Sequence, residues 1–230
     1  MAYILNIETS TEVCSVALSL DGEVLDHHEN YEGRTHATLL SAYIQDELKY
    51  VRSRDIKLDA VAVSVGPGSY TGLRIGLSEA KGIAFGLNVP LIGVNTLKLL
   101  TTSAMFKEFF DNDELFVPMI DARRMEVYTA VYNSALEPLL EPQPMIIDET
   151  SFSDLLNDHP LVFFGNGSTK VKDVINNPNA IFVPDIKPVA LDMIVLSEMA
   201  FRKKEFIDVA YSTPLYLKEF QATQPKHKVL

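Results

Sequence analysis

The feature that most constrains the fold of this chain is an internal repeat. In the first half, an apolar segment that ends in Glu8 is followed by a polar turn and by a segment of alternating polarity, residues 13–20. In the second half, an apolar segment that ends in Asp121 is followed by a polar turn and by the segment 125–132. Repeats indicate one structural unit used twice. Chance is the alternative, because two strands joined by a turn are common.

The segments that follow these two hairpins also correspond. Each half continues with an apolar strand, a Gly-x-Gly-Ser turn, a helix and another short strand. These segments are residues 60–65, 66–69, 71–86 and 91–94 in the first half and 161–164, 165–168, 169–175 and 180–183 in the second. Two copies of an α/β unit predict two lobes, each with a mixed β-sheet and flanking helices.

The repeat also suggests where one lobe ends and the other begins. We place the N-terminal lobe at residues 1–110 and the C-terminal lobe at 111–205, with the segment 206–230 returning to the first lobe. The sequence Asp21-Gly22 predicts a tight hairpin turn. Three prolines within residues 137–144 indicate a loop, and the spacing of apolar residues predicts a helix within 188–205.

Composition excludes several classes of protein. A hydrophobic fraction of 47% argues against global disorder. With 20 basic and 31 acidic residues the net charge is −11, so we expect contact with RNA only through a basic partner. The single cysteine, Cys14, excludes an internal disulfide. The longest uncharged stretch, residues 82–97, is too short for a membrane span. We therefore expect a cytoplasmic protein with no membrane contact.

Two sets of residues are weak candidates for binding a cofactor. Gly66 and Gly68 lie in a strand–turn–helix segment that can present N–H groups to a phosphate, although a Walker A lysine is missing. The alternative is a tight turn with Ser69 as helix cap. Glu8 and Asp121 end equivalent strands. One expectation is that they face each other across a cleft and hold Mg²⁺. The alternative is that each is a solvated acid at the end of its strand. No paired histidines suggest a metal site, and we predict none.

Two helices carry a more specific signal. The helix 71–86 has Gly72, Gly76 and Ala80 at four-residue spacing, which gives a smooth face for close packing. The helix 36–51 has an apolar side wider than one sheet covers. Either helix can pack within the chain or against a partner.

The residues from Val63 to Leu97 (VSVGPGSYTGLRIGLSEAKGIAFGLNVPLIGVNTL) closely resemble the TsaB family of bacterial tRNA threonylcarbamoyladenosine biosynthesis proteins, also called YeaZ-type or glycoprotease-like. The segments Ile4–Thr11 and Pro214–Lys218 are similar to the same family. The resemblance implies a duplicated actin-like ATPase fold. Ala37 and Ala42 depart from the family pattern.

The resemblance also implies a function. The sister family TsaD has a His-x-x-x-His metal pair after the Val-Asn that follows the glycine helix, and this chain has Thr96 and Leu100 there. It therefore resembles a non-catalytic subunit, without catalytic residues, cofactor or metal, that docks on TsaD and helps to recruit the P-loop ATPase TsaE. The chain would contact tRNA only through the complex, and would form a homodimer when alone.

The family docks through the two helices described above. The residues that this implies for the partner interface are His36, Leu39, Leu40, Tyr43, Gly72, Arg74, Gly76 and Ala80. We expect Gly76→Leu to abolish partner binding without disturbing the fold. Alternatives are an ATP-dependent kinase or transferase that uses Glu8 and Asp121, and a glycoprotease.

Overall fold

The two halves of the chain form two five-stranded sheets with the same strand order. The computed structural model describes residues 1–33, 35–108, 110 and 113–218. The elements within these residues are β1 (Tyr3–Glu8), β2 (Cys14–Leu20), β3 (Glu23–Asn30), α1 (His36–Ser53), β4 (Ala60–Gly66), α2 (Tyr70–Leu87), β5 (Leu91–Asn95), α3 (Thr96–Lys107), β6 (Leu115–Asp121), β7 (Glu126–Tyr132), β8 (Pro138–Ile146), α4 (Ser153–Asp158), β9 (Leu161–Phe164), β10 (Ala180–Phe182) and α5 (Ala190–Lys203).

The repeat predicted from the sequence is confirmed by the topology. The first sheet has the order β3-β2-β1-β4-β5, and the second has the equivalent order β8-β7-β6-β9-β10. In each sheet the first three strands are antiparallel, and the last two run parallel to the central strand. Asp21 and Gly22 both have positive φ, as the predicted hairpin turn requires.

Two predictions of local structure were wrong. The proline-rich segment 137–144 lies largely within β8, because β8 is an edge strand and its prolines need no ladder partner on the open side. The helix expected at 169–175 is a series of turns, in which Val171 and Lys172 both donate backbone hydrogen bonds to Ser168 O. The second lobe thus has a short substitute for α2.

The strands position helices on both faces of each sheet. On β1, Leu5 and Ile7 pack beneath α1 and α2, whereas Ile4 points to the opposite face and packs with Leu99 of α3 and Met193 of α5. Leu97 and Leu100 of α3 pack on the second sheet. Helix α3 therefore lies between the two sheets, and α5 lies beside it on the same face of the first sheet. Helix α4 covers the outer face of the second sheet.

The last part of the chain is associated with the first sheet. Helix α5 contacts β1, β2, β3 and β5, although the sequence placed it in the second lobe. Beyond α5, Ile207 N donates to Leu91 O at 2.8 Å and Leu215 N donates to Val65 O at 2.7 Å. The predicted return of the segment 206–230 can be followed only to residue 218, since 219–230 lie outside the described residues. The boundary at 110/111 adjoins residues that are also outside this range and stays a prediction.

Candidate functional site

A cleft of about 990 Å³ separates the two lobes. Its walls include the turns that follow β1, β4, β6 and β9, the residues at the start of α1, and the C-terminal segment 215–218. β4 runs parallel to β1, and β9 runs parallel to β6. Ligand sites of open α/β sheets lie beyond the carboxyl ends of such strands, so this cleft is the candidate site.

The glycine turn after β4 uses its polar groups within the chain. Ser69 N donates to Ser10 O at 2.7 Å, and Gly72 N donates to Ser69 Oγ at 3.2 Å. A Cβ atom at Gly68 would lie 2.3 Å from Ser10 O, and one at Gly66 would lie 2.9 Å from Leu215 O. These two glycines therefore allow backbone segments of the same chain to approach. Ser69 caps α2, as the structural alternative predicted, and these donors do not fit a nucleotide phosphate.

Glu8 does not line the cleft. Its side chain is fully buried beneath the β1–β2 turn, where Oε1 accepts a hydrogen bond from Ser10 N and Oε2 has no partner among the described residues. Burial raises the pKa of Glu8 from 4.5 to about 7, against the opposing effect of its hydrogen bonds with Ser10. The expected pairing of Glu8 and Asp121 across the cleft is therefore wrong, because only Asp121 reaches it.

Asp121 faces the cleft, but its charge is already paired. Its Oδ1 accepts hydrogen bonds from Lys170 Nζ and, at 3.0 Å, from Arg123 N. Asp121 N donates to Asn166 Oδ1 at 2.9 Å, which joins the turns after β6 and β9. A carboxylate that a lysine neutralises is a poor Mg²⁺ ligand. The residues present thus do not fit the magnesium–nucleotide group that an ATPase fold implies.

The C-terminal segment crosses the mouth of the cleft. Arg74 Nε of α2 donates to Tyr216 Oη at 3.0 Å, and Lys218 pairs with Glu126 of the second lobe. Earlier in the same segment, the carbonyl groups of Ala210 and Ser212 both accept hydrogen bonds from Lys81 Nζ at 2.9 Å. The segment therefore contacts both lobes.

The glycine face of α2 is buried within the chain, which corrects its assignment to a partner surface. A Cβ atom at Gly72 would lie 2.1 Å from Thr9 O, and one at Gly76 would lie 2.2 Å from Thr9 Oγ1. Ala80 is fully buried in the core beneath α2. The spacing correctly indicated close packing, but the neighbour is the β1–β2 turn. The expectation that Gly76→Leu leaves the fold intact is therefore wrong.

Two of the α1 residues assigned to the interface are also internal. His36 is buried, and its Nε2 lies 3.0 Å from Val13 O, which ties the start of α1 to the residue before β2. Leu40 is fully buried. Leu39 and Tyr43 are half-buried and Arg74 is exposed, so these three remain candidates for the interface.

One exposed aromatic residue on α2 is absent from the set of residues predicted from the sequence. Phe85 is 81% exposed, and Cβ atoms added at Gly82 and Gly86 would meet no other part of the described chain within 4 Å. Helical periodicity was the available signal, because Phe85 follows Arg74, Ser78 and Gly82 along the outward side of α2.

A cluster of possible ligands between β3 and α1 is also absent from the predicted set. It is formed by Asp26, His28 and Glu47. Glu47 is fully buried, and burial together with the charges of Asp26 and Asp46 raises its pKa to about 7. No sequence signal joins these residues, since β3 and α1 contact each other only in the folded lobe.

Two sheets of equivalent mixed topology, with helices on both faces and a cleft between them, define the actin-like ATPase fold. Residues 23–222 match the model of the family described as TsaD, tRNA N6-adenosine threonylcarbamoyltransferase. The chain is 32% identical over 227 residues to the tRNA threonylcarbamoyladenosine biosynthesis protein TsaB of Escherichia coli (strain K12), covering 94% of each chain. It is 29% identical to TsaB of Bacillus subtilis (strain 168), covering 95% of each.

A solved structure gives the same result. YeaZ from Pseudomonas aeruginosa superposes with a TM-score of 0.75 and 27% identity, covering 94% of this chain and 100% of that one. The chain therefore belongs to the TsaB (YeaZ) family, which confirms the resemblance seen in the sequence. Within the described residues, no helix has the length and apolar character needed to cross a bilayer.

Proposed function

We propose that this chain is a non-catalytic scaffold subunit of the cytoplasmic complex that forms threonylcarbamoyladenosine in tRNAs reading codons that start with A. In this role it docks on the catalytic paralogue TsaD and helps to recruit the ATPase TsaE. The names of its relatives place them in this biosynthesis. The observation that carries the proposal is that the N–H groups of Ser69 and Gly72 and the carboxylate of Asp121, all at the cleft, are bonded within the chain.

The cleft supports a scaffold role in two ways. The N–H groups of Ser69 and Gly72 are bonded internally, and Asp121 is paired with Lys170. Reaction centres instead keep donors and charges free to stabilise a developing charge. We therefore assign no catalytic residue to this chain.

The start of α3 supports the same conclusion. The resemblance aligns Thr96 and Leu100 with the metal-binding pair of the sister transferases. Both side chains are buried, and Leu100 packs in the core between α3 and the second sheet. Asn95 Oδ1 accepts from Leu97 N and Lys98 N, so this turn serves as a helix cap.

The outer surface of α1 and α2 is our candidate for the docking site. It combines an exposed aromatic side chain, Phe85, with two glycines that leave the backbone uncovered, Gly82 and Gly86. Aromatic anchors dominate many interfaces, and glycines allow a partner helix to come close. We place three further residues at the border of this surface. Leu39 and Tyr43 are half-buried, and Arg74 is exposed and charged. We assign the same surface to the homodimer of the isolated chain.

The charge of the chain supports an indirect contact with tRNA. A net charge of −11 repels the phosphate backbone, so binding of tRNA falls to the other subunits. We expect the purified chain alone to bind tRNA far more weakly than the complex does.

Reconstitution of tRNA modification tests the proposal. With purified TsaD, TsaE and the enzyme that supplies the threonylcarbamoyl group, product should form only when this chain is added. Phe85→Ala should weaken binding to TsaD by about tenfold or more, as loss of an aromatic anchor does.

The matched control is Phe106→Ala, since Phe106 is another helical phenylalanine and is 62% exposed on α3. Equal binding by both variants would remove α2 from the interface, and product formation without this chain would contradict the scaffold role. ATP turnover by the chain alone would favour a kinase or transferase, and cleavage of a glycoprotein would favour a glycoprotease. We expect neither activity.

A further inference from the structure

We propose that Asp26, His28 and Glu47 bind a single divalent transition-metal ion of the zinc class between β3 and α1. The site lies within the first lobe and is separate from the cleft. Asp26 and His28 come from the edge strand β3, and Glu47 comes from α1. Each residue offers one ligand atom, and the three atoms lie within 4.8 Å of one another.

The strongest support is that buried polar atoms meet at this site without a hydrogen-bond partner. Glu47 is fully buried, and neither of its carboxyl oxygens has a hydrogen bond to the described residues. His28 Nε2 is also buried without one. Buried polar groups are nearly always paired, because leaving one unpaired costs free energy. An ion between Glu47 and His28 would satisfy both.

The distances suit an ion better than a direct contact. His28 Nε2 lies 3.7 Å from Glu47 Oε1, which is too long for a hydrogen bond. A tetrahedral zinc ion with bonds of about 2.0–2.2 Å holds neighbouring ligand atoms roughly 3.3–3.6 Å apart. This pair is therefore almost at the required separation. Asp26 is half-buried and can close the remaining distance by a change of rotamer.

The types of ligand select the class of metal. Ca²⁺ and Mg²⁺ prefer a shell made entirely of oxygen atoms, usually with six or more ligands. An imidazole with two carboxylates suits zinc and its neighbours among the transition metals. Three protein ligands leave one position for water.

His28 is also held in place by its surroundings. Its ring stacks on Tyr43 of α1, with ring centres 5.0 Å apart and an angle of 14° between the planes. The stacking fixes the imidazole plane on the side of the strand that faces α1. The adjacent His27 is exposed, since successive side chains of a strand point to opposite faces.

Direct metal binding tests this proposal. The full-length chain is stripped of metal with a chelator and titrated with Zn²⁺ by calorimetry, with Mg²⁺ in a parallel titration. We expect one Zn²⁺ per chain, a higher melting temperature with Zn²⁺, and no comparable effect of Mg²⁺. Substitution by Co²⁺ should give the visible absorption of a site with low coordination number.

Two variants and one control make the test specific. His28→Ala and Glu47→Gln should each weaken Zn²⁺ binding by about tenfold or more, whereas His27→Ala should bind as the wild type does. Glu47→Gln keeps the volume of the side chain, which guards against a loss of binding that comes only from unfolding. The proposal is overturned if Zn²⁺ does not bind saturably, or if His28→Ala and His27→Ala have the same affinity. Saturable binding that survives Glu47→Gln would overturn it as well.

Discussion

Thr9 and Gly76 lie so close together that any side chain at residue 76 would collide with the threonine. A Cβ atom at Gly76 would be 2.2 Å from Thr9 Oγ1, and that hydroxyl donates a hydrogen bond to Gly72 O at 2.8 Å. This contact fixes α2 against the turn that follows β1. It therefore sets the position of the first wall of the cleft.

The first prediction concerns this contact. Gly76→Ala should lower the free energy of unfolding by about 1–3 kcal/mol, because overpacking at a rigid contact outweighs the better helix propensity of alanine. Gly82→Ala is the matched control, since its new methyl group would meet no neighbouring segment of the described residues within 4 Å. It should raise the free energy of unfolding by about 0.5–1 kcal/mol. Urea unfolding followed by circular dichroism measures both, and changes of the same sign would contradict the packing argument.

The second prediction concerns pH. The pKa of Glu8 rises from 4.5 in the unfolded chain to about 7 in the folded one, so between these values the folded chain binds more protons. The contribution of Glu8 to stability is then complete below pH 4.5 and is lost as the pH rises to 7. In the wild type, the free energy of unfolding should therefore fall by an amount on the order of 1–3 kcal/mol between pH 4.5 and 7. Glu8→Gln keeps an acceptor for Ser10 N but has no proton to lose, so this fall should be absent in the variant.

Thermal or urea unfolding at several pH values from 4.5 to 8 provides the measurement for Glu8→Gln. The comparison is made between the variant and the wild type at each pH, which cancels the contribution of Glu47. If the variant lost stability as steeply as the wild type between pH 5 and 7, Glu8 would not be the buried acid responsible.

The third prediction concerns the segment that crosses the cleft. Lys81→Met removes the donor from two carbonyl groups, Ala210 O and Ser212 O. The free energy needed to open the segment locally should fall by about 1 kcal/mol. Amide exchange at Leu215, whose N–H donates to Val65 O, should therefore become roughly fivefold faster. Lys49→Met on α1 removes only an exposed pair with Asp46 and should leave this exchange unchanged. Hydrogen exchange followed by mass spectrometry measures this rate in the wild type and in both variants. Equal exchange rates in the wild type and in Lys81→Met would show that Lys81 does not hold the segment.

The fourth prediction concerns self-association through α2. If the outer surface of α1 and α2 forms the homodimer, Phe85→Ala should shift the isolated chain towards the monomer, with a dissociation constant about tenfold higher. Sedimentation velocity over a range of concentrations measures this constant. Phe106→Ala should sediment as the wild type does. A monomeric wild type, or dimers of equal strength in both variants, would place the contact elsewhere.

The candidate site could be predicted only in part from the sequence. The Gly-x-Gly spacing correctly indicated a tight turn, but the occupant of the space beside Gly68 is Ser10, which lies far away along the chain. Glu8 looks like a cleft residue because it ends a strand, yet its side chain turns inward. The positions of glycines and of acids at strand ends in the sequence indicate only the local geometry of the backbone. Which group fills the space beside them depends on packing between distant segments.

The sequence alone determined the duplicated architecture, since the same order of hydrophobic strands, turns and helices occurs twice along the chain. The alternation of apolar and polar residues also determines which face of a strand is buried. The tertiary structure decided which surfaces remain free. It buried Gly72 and Gly76 against Thr9, exposed Phe85, and brought His28 to Glu47. The physical reason is that hydrophobic patterning is local in the chain, whereas close packing and the pairing of polar groups depend on atoms that become neighbours only after folding.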